Sequence, residues 1–106
     1  MKLRLEDNKV CFRINREELE DLIGSGSIGS VTAGLSYCVK SDDKIITSDL
    51  IYGDNKLILF IPLQLVVKHK GELPSKEGIV TNIKSENSNH IIASLEVDVR
   101  SKAMKK

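Results

Sequence analysis

DNKVCFRIN, residues 7–15, and DNKLILFIP, residues 54–62, decide how this chain folds. They start 47 residues apart and share Asp-Asn-Lys followed by the same apolar alternation. Val10, Phe12 and Ile14 carry it in one copy, Leu57, Leu59 and Ile61 in the other. A period of two marks a strand with one buried face. Another strand pattern precedes each copy, KLRLE at 2–6 and IITSDLIY at 45–52. An Asp-Asn pair joins strand to strand, and both residues tolerate the positive φ of two-residue hairpin turns.

Working outward, each hairpin runs into a short helix. Asn15 is a good N-cap, and Glu18 three residues later completes a capping box. Leu19, Leu22 and Ile23 form an apolar stripe, Glu17, Glu20 and Asp21 face water, and Gly24 or Gly26 ends the helix. In the second half Pro62 sits at a first-turn position, and Leu63, Val66 and Val67 supply the stripe. Lys68 and Lys70 suit the C-terminal end of that helix, and Gly71 stops it. Two further strands follow each helix: IGSVTA and LSYCVK, then GIVTNIK and HIIASLEVDVR, the last two joined by a turn at NSN, 87–89.

The scheme ββαββ is therefore written twice. It predicts one α+β domain over residues 1–100, with pseudo-duplicated halves at 1–43 and 44–100. About eight mostly antiparallel strands and two short helices make it up. Short connections favour antiparallel pairing, and eight such strands form either a curled sheet or a barrel. SKAMKK, 101–106, reads as a basic disordered tail.

Composition narrows the function. The chain has 106 residues, 41% hydrophobic and 29% charged, with a net charge of +1. Such a balance argues against a general nucleic-acid binder. The four aromatics, Phe12, Tyr37, Tyr52 and Phe60, sit in apolar strand patterns, where core packing is expected rather than base stacking. No apolar run approaches a membrane span, and MKLRLEDNK lacks the apolar core of a signal peptide, so a cytoplasmic location and no membrane partner are expected. Cys11 and Cys38 are then reduced thiols, and together with His69 and His90 they make no recognisable metal spacing.

GSGSIGSV, residues 24–31, spells G-x-G-x-x-G-x-V, and YCVK ends in Lys40 nine residues on. A nucleotide fingerprint needs its glycines before a helix, so that phosphate meets the positive end of the helix dipole. Here a helix comes first and a strand follows. A kinase would also need a catalytic Asp loop and an Asp-Phe-Gly, and the chain has neither. The glycines read as a helix stop.

The opening residues Met1, Lys2, Arg4, Asn8, Arg13, Asn15 and Glu18 fit a pattern near M-K-[IL]-R-[IL]-x-x-N-x-[IV]-R-[FL]-R-[IL]-[TN]-x-x-E. With LILFIPLQL further on, this resembles a family of short, uncharacterised bacterial proteins. The resemblance spans most of the chain and implies a fold and a bacterial setting. It transfers no catalytic residue. Cys11 stands where that family carries an arginine.

Strand alternation puts Lys2, Arg4, Arg13, Lys40 and Arg100 opposite the apolar face, with Lys84 beside them and Glu96, Asp98 and Asp49 as the acids. On the residues alone, a solvated sheet face with cross-strand charge pairs ranks first. The functional reading is that Lys2, Arg4, Arg13, Lys40 and Arg100 converge on a small anion. This predicts a non-enzymatic binding or interaction domain, needing no cofactor and recognising a small anionic ligand or a protein partner. The alternative is a metal-dependent phosphohydrolase resembling the triphosphate tunnel enzymes, whose barrels hold phosphates with bases and a divalent metal with acids. Glu96 and Asp98 would hold the metal here, although the tunnel signature E-x-E-x-K is replaced by K-L-R-L-E. Finally, Ile45, Ile51, Ile58, Val80 and Ile92 fall out of phase with the buried faces. They point either to strands covered on both sides or to a homodimer contact.

Overall fold

The structure is a computed structural model that describes residues 1–73, 78–84 and 90–98. Its strands are β1 (Lys2–Glu6), β2 (Lys9–Asn15), β3 (Ser27–Thr32), β4 (Leu35–Asp42), β5 (Asp49–Gly53), β6 (Lys56–Pro62), β7 (Ile79–Lys84) and β8 (His90–Asp98). Helix α1 (Arg16–Ser25) follows β2, and α2 (Leu63–Gly71) follows β6. The α+β class and the order ββαββ, twice, are as the sequence indicates. The arrangement of the strands is not. Instead of one curled sheet or a barrel there are two open four-stranded sheets, ordered β1-β2-β8-β7 and β3-β4-β6-β5. Each contains a hairpin from either half of the chain.

Among the described residues four of the six strand pairings are antiparallel, as expected, but the sheets are mixed, because the centre of each is a parallel pair. β2 runs parallel to β8, with Phe12 opposite Leu95, and β4 runs parallel to β6, with Val39 opposite Leu59. Short turns force antiparallel pairing only inside each hairpin. Where two hairpins meet, no tight turn sets the direction: β2 and β8 are separated by most of the chain, and β4 reaches β6 through residues 43–48 and β5, so each pair is free to run parallel. A backbone bond pins the start of each pair. Ile92 donates its N–H to the Asn8 carbonyl at 2.8 Å, and Ser36 donates to the Asn55 carbonyl at 2.9 Å.

Register places the apolar alternation in one core. Across the first sheet runs the row Leu3, Phe12, Leu95, Ile79, and across the second the row Leu50, Leu59, Val39, Ile28. Phe12, Leu95, Leu59 and Val39 are fully buried. Both helices contact strands of both sheets. Leu19, Leu22 and Val66 thereby join the two inner faces in a single cluster. The Phe12 and Tyr37 rings, 6.5 Å apart and tilted by 58°, join the first sheet to the second.

The punctuation residues behave in instructive ways. Asn15 accepts from the Glu18 N–H at 2.8 Å, and Glu18 Oε1 accepts from the Asn15 N–H at 2.9 Å, the reciprocal bonds of a capping box. The other carboxylate oxygen of Glu18 takes the Met1 ammonium at 2.6 Å. Gly26, at φ 87°, is the left-handed cap of α1, and its N–H donates to the Leu22 carbonyl. Gly24 lies inside that helix, and Gly71 is the last residue of α2, where Glu72 is the cap. In α2 the buried positions are Val66 and His69, while Val67 is exposed. The stripe thus continues by threes, past the residue that the apolar pattern favoured. β5 is shorter than expected: it begins at Asp49, and residues 45–48 lie outside any strand. The turn at NSN and the tail at 101–106 lie outside the described residues.

Two hairpin turns use positive φ. Asp54 and Asn55 adopt 53° and 62°, as a mirror-image turn requires. Asp7 and Asn8 are not among the positive-φ residues, so the first hairpin closes differently. The turn from β3 to β4 places Ala33 at φ 52° and Gly34 at 80°. A left-handed alanine costs about 1–2 kcal/mol because its Cβ crowds the following carbonyl. Ala33→Gly is therefore expected to raise stability by about 0.5–1 kcal/mol, net of the entropy that glycine loses on folding. An upward shift of the melting temperature checks it, and an unchanged or lower value contradicts the strain.

Candidate functional site

Alternation that buries Phe12, Ile14, Leu95 and Val97 turns the intervening residues to the opposite face of the first sheet. Lys2 stands directly across from Arg13, and Arg13 from Glu96. One step along, Arg4 faces Cys11, and Cys11 faces Ser94. Lys2, Arg4 and Arg13, expected to share a face, are thus brought onto two neighbouring strands. Arg4 lies diagonal to Arg13, roughly 7–8 Å away between backbones.

Arg13 is the focus. Its Nε is buried and has no hydrogen-bond partner. The acid beside it, Glu96, has Oε1 at 3.8 Å from that nitrogen, beyond hydrogen-bond range. A guanidinium offers five donors in a fixed fork suited to carboxylate or phosphate oxygens. Lys2 directly opposite is a like charge, and such cross-strand pairs are destabilising. Lys2 and Arg13 thus place two positive charges side by side at one end of this face, with Glu96 as the adjacent acid.

Beside this cluster, Arg4, Lys9, Cys11, Val80, Ser94 and Glu96 border a shallow groove of ≈ 370 Å³. Burial pushes the Cys11 thiol above its ordinary pKa. A hydrogen bond with Ser94 acts the other way, and the Glu96 carboxylate adds to the rise. Cys11 therefore stays protonated at neutral pH, a poor nucleophile.

The remaining predicted residues divide. Lys40 is exposed on the outward face of the second sheet, between Ser27 and Phe60, and does not join Lys2, Arg4 and Arg13. Face parity alone could not separate them, because it says nothing about which strands share a sheet. Lys84 ends β7, and Arg100 lies outside the described residues. Glu96 and Asp98 share the outward face of β8, and Glu96 sits against Arg13. No group of three His, Cys, Asp or Glu side chains suited to a metal occurs among the described residues. The two sheets do not close around a channel. Of the out-of-phase apolar residues, Ile51 and Val80 are exposed on the two outward faces, 52% and 57% accessible. Among the described residues no helix is long and apolar enough to cross a membrane.

The molecule is thus an α+β domain with helices packed on the inner faces of two open mixed sheets and a cation-bearing outward face on one of them. The chain belongs to a family of unknown function (DUF7009), whose profile matches residues 1–102. No curated protein and no solved structure matches it.

Proposed function

We propose that this domain is a non-enzymatic binding module whose first sheet recognises a small oxyanion, phosphate or carboxylate, across Lys2, Arg4 and Arg13. The observation that carries the reading is the buried Nε of Arg13, which has no hydrogen-bond partner although Glu96 lies 3.8 Å away, beside a like-charged Lys2. A bound oxyanion supplies the missing acceptor and turns the Lys2–Arg13 repulsion into shared attraction.

The test follows from that reversal. Inorganic phosphate is expected to raise the melting temperature of the full chain beyond an ionic-strength control in chloride. Arg13→Gln removes the like-charge contact, so the free protein keeps or gains stability while the phosphate response falls. A chain indifferent to millimolar phosphate, or a response that survives Arg13→Gln, rules the site out.

The same reading takes the ββαββ halves as copies of one unit. Three matches support it: the two central rows, the backbone bonds from Asn8 and Asn55, and sheet orders that interchange when the halves are exchanged. Val97 fills the first-sheet position matching Ser41, whose buried hydroxyl lacks a partner. On this reading the copies have the same frame and differ in the side chains that fill it.

A further inference from the structure

The outward face of the second sheet has a groove of its own, ≈ 320 Å³, at the place corresponding to the groove on the first. Its floor is Cys38 opposite Ile58 on the parallel pair, with Gly29 opposite Cys38 on β3. Lys40 and Lys56 stand at its two ends. Lys56 pairs with Ser36, four residues along β4 from Lys40, so the two lysine positions lie roughly 13 Å apart.

The charge pattern is distinctive. Among the residues lining this groove there is no carboxylate. Neither lysine forms an ion pair among the described residues. Asp42, two residues along β4 from Lys40 on the same face, accepts from the Lys44 N–H at 2.7 Å, and Asp49, beyond Phe60 on β5, accepts from the Leu50 N–H at 2.8 Å. The first sheet's groove, by contrast, has Glu6 and Glu96 along its walls. Gly29 matters for shape as well. A Cβ there would come within 3.1 Å of the Cys38 Cβ, so the bare glycine keeps the floor open beside the thiol.

Two separated cations with an apolar floor between them define their ligand. We propose that this groove binds an aliphatic α,ω-dicarboxylate, one carboxylate on Lys40, the other on Lys56, and the methylene chain over Cys38 and Ile58. The chain covers apolar surface that no helix covers, and each lysine gains a charge-assisted hydrogen bond. The site is separate from the Arg13 cluster in residues, sheet and ligand shape.

The Cys38 thiol reports occupancy. In a full-length Cys11→Ser background, azelate is expected to slow modification of Cys38 by a maleimide and to raise the melting temperature. Lys40→Gln and Lys56→Gln should each weaken azelate binding roughly ten-fold, the loss of one charged hydrogen bond. Nonanoate, with a single carboxylate, should bind several-fold more weakly than azelate. Arg13→Gln should leave the protection intact. The proposal is overturned if azelate gives no protection at millimolar concentration, if protection survives both lysine substitutions, or if nonanoate binds as well as azelate. It is equally overturned if Arg13→Gln abolishes the effect, which would place the anion on the first sheet.

Discussion

Phe12→Ala is expected to cost about 3–5 kcal/mol, a large part of the 5–15 kcal/mol that holds a domain of this size together. Phe12 is fully buried on β2, with Leu3 on one side and Leu95 on the other. Its ring also meets Tyr37 of the second sheet. Truncation removes apolar contact from two sheets at once and leaves a void that strands on a fixed ladder cannot collapse to fill. Urea unfolding measures the loss as a fall in midpoint at similar slope. Phe12→Leu, which keeps most of the volume, should cost far less. A loss below about 1.5 kcal/mol for Phe12→Ala would mean that the ring is not the bridge described here.

Gly78→Ala is the second large effect, and it acts through the backbone. A Cβ on Gly78 would overlap the Leu95 carbonyl oxygen and lie 2.8 Å from its carbon. Those atoms belong to β8, a central strand, and cannot rotate aside as a side chain would. The start of β7 must move away from β8, weakening the pairing of Ile79 with Leu95. A loss of about 2–4 kcal/mol is expected, at the upper end for overpacking because the obstacle is main chain. Hydrogen exchange should show β7 amides losing protection while those joining β1 and β2 keep theirs. Gly24→Ala is the control. That glycine lies inside α1 with nothing within 4 Å of a Cβ, so alanine should stabilise by roughly 0.5–1 kcal/mol. Equal behaviour of the two variants would refute the account of Gly78.

Local chemistry made much of this fold legible. Asn15 and Glu18 form their capping box, Gly26 ends α1, and alternation sorts Phe12 from Arg13 correctly. These features depend on residues within a few positions of one another. Strand order does not. Nothing in KVCFRIN says that its neighbour is HIIASLEVD, because two apolar strands of similar length fit each other nearly as well as any other pair. The parallel centres were hidden for that reason, and so was the separation of Lys40 from Lys2, Arg4 and Arg13. His69 was missed for a different reason. An imidazole can be buried where a short helix packs tightly, and an apolar stripe drawn through Val67 passes it by. The orphaned Nε of Arg13 depends on where Glu96 falls across the parallel pair, and no spacing within the sequence records it.

The pairing of Lys9 with Ile92 has a consequence for how the protein is made. The second sheet can assemble once residues up to Pro62 have left the ribosome, since β3, β4, β5 and β6 are all present by then. The first sheet cannot. Its β1–β2 hairpin emerges before the second sheet and must keep one strand edge unsatisfied until β8 arrives. At roughly 5–20 residues per second that interval lasts several seconds. The basic and acidic side chains on β1 and on the outward face of β2 suit that wait, since charge along a bare edge discourages pairing with another nascent chain.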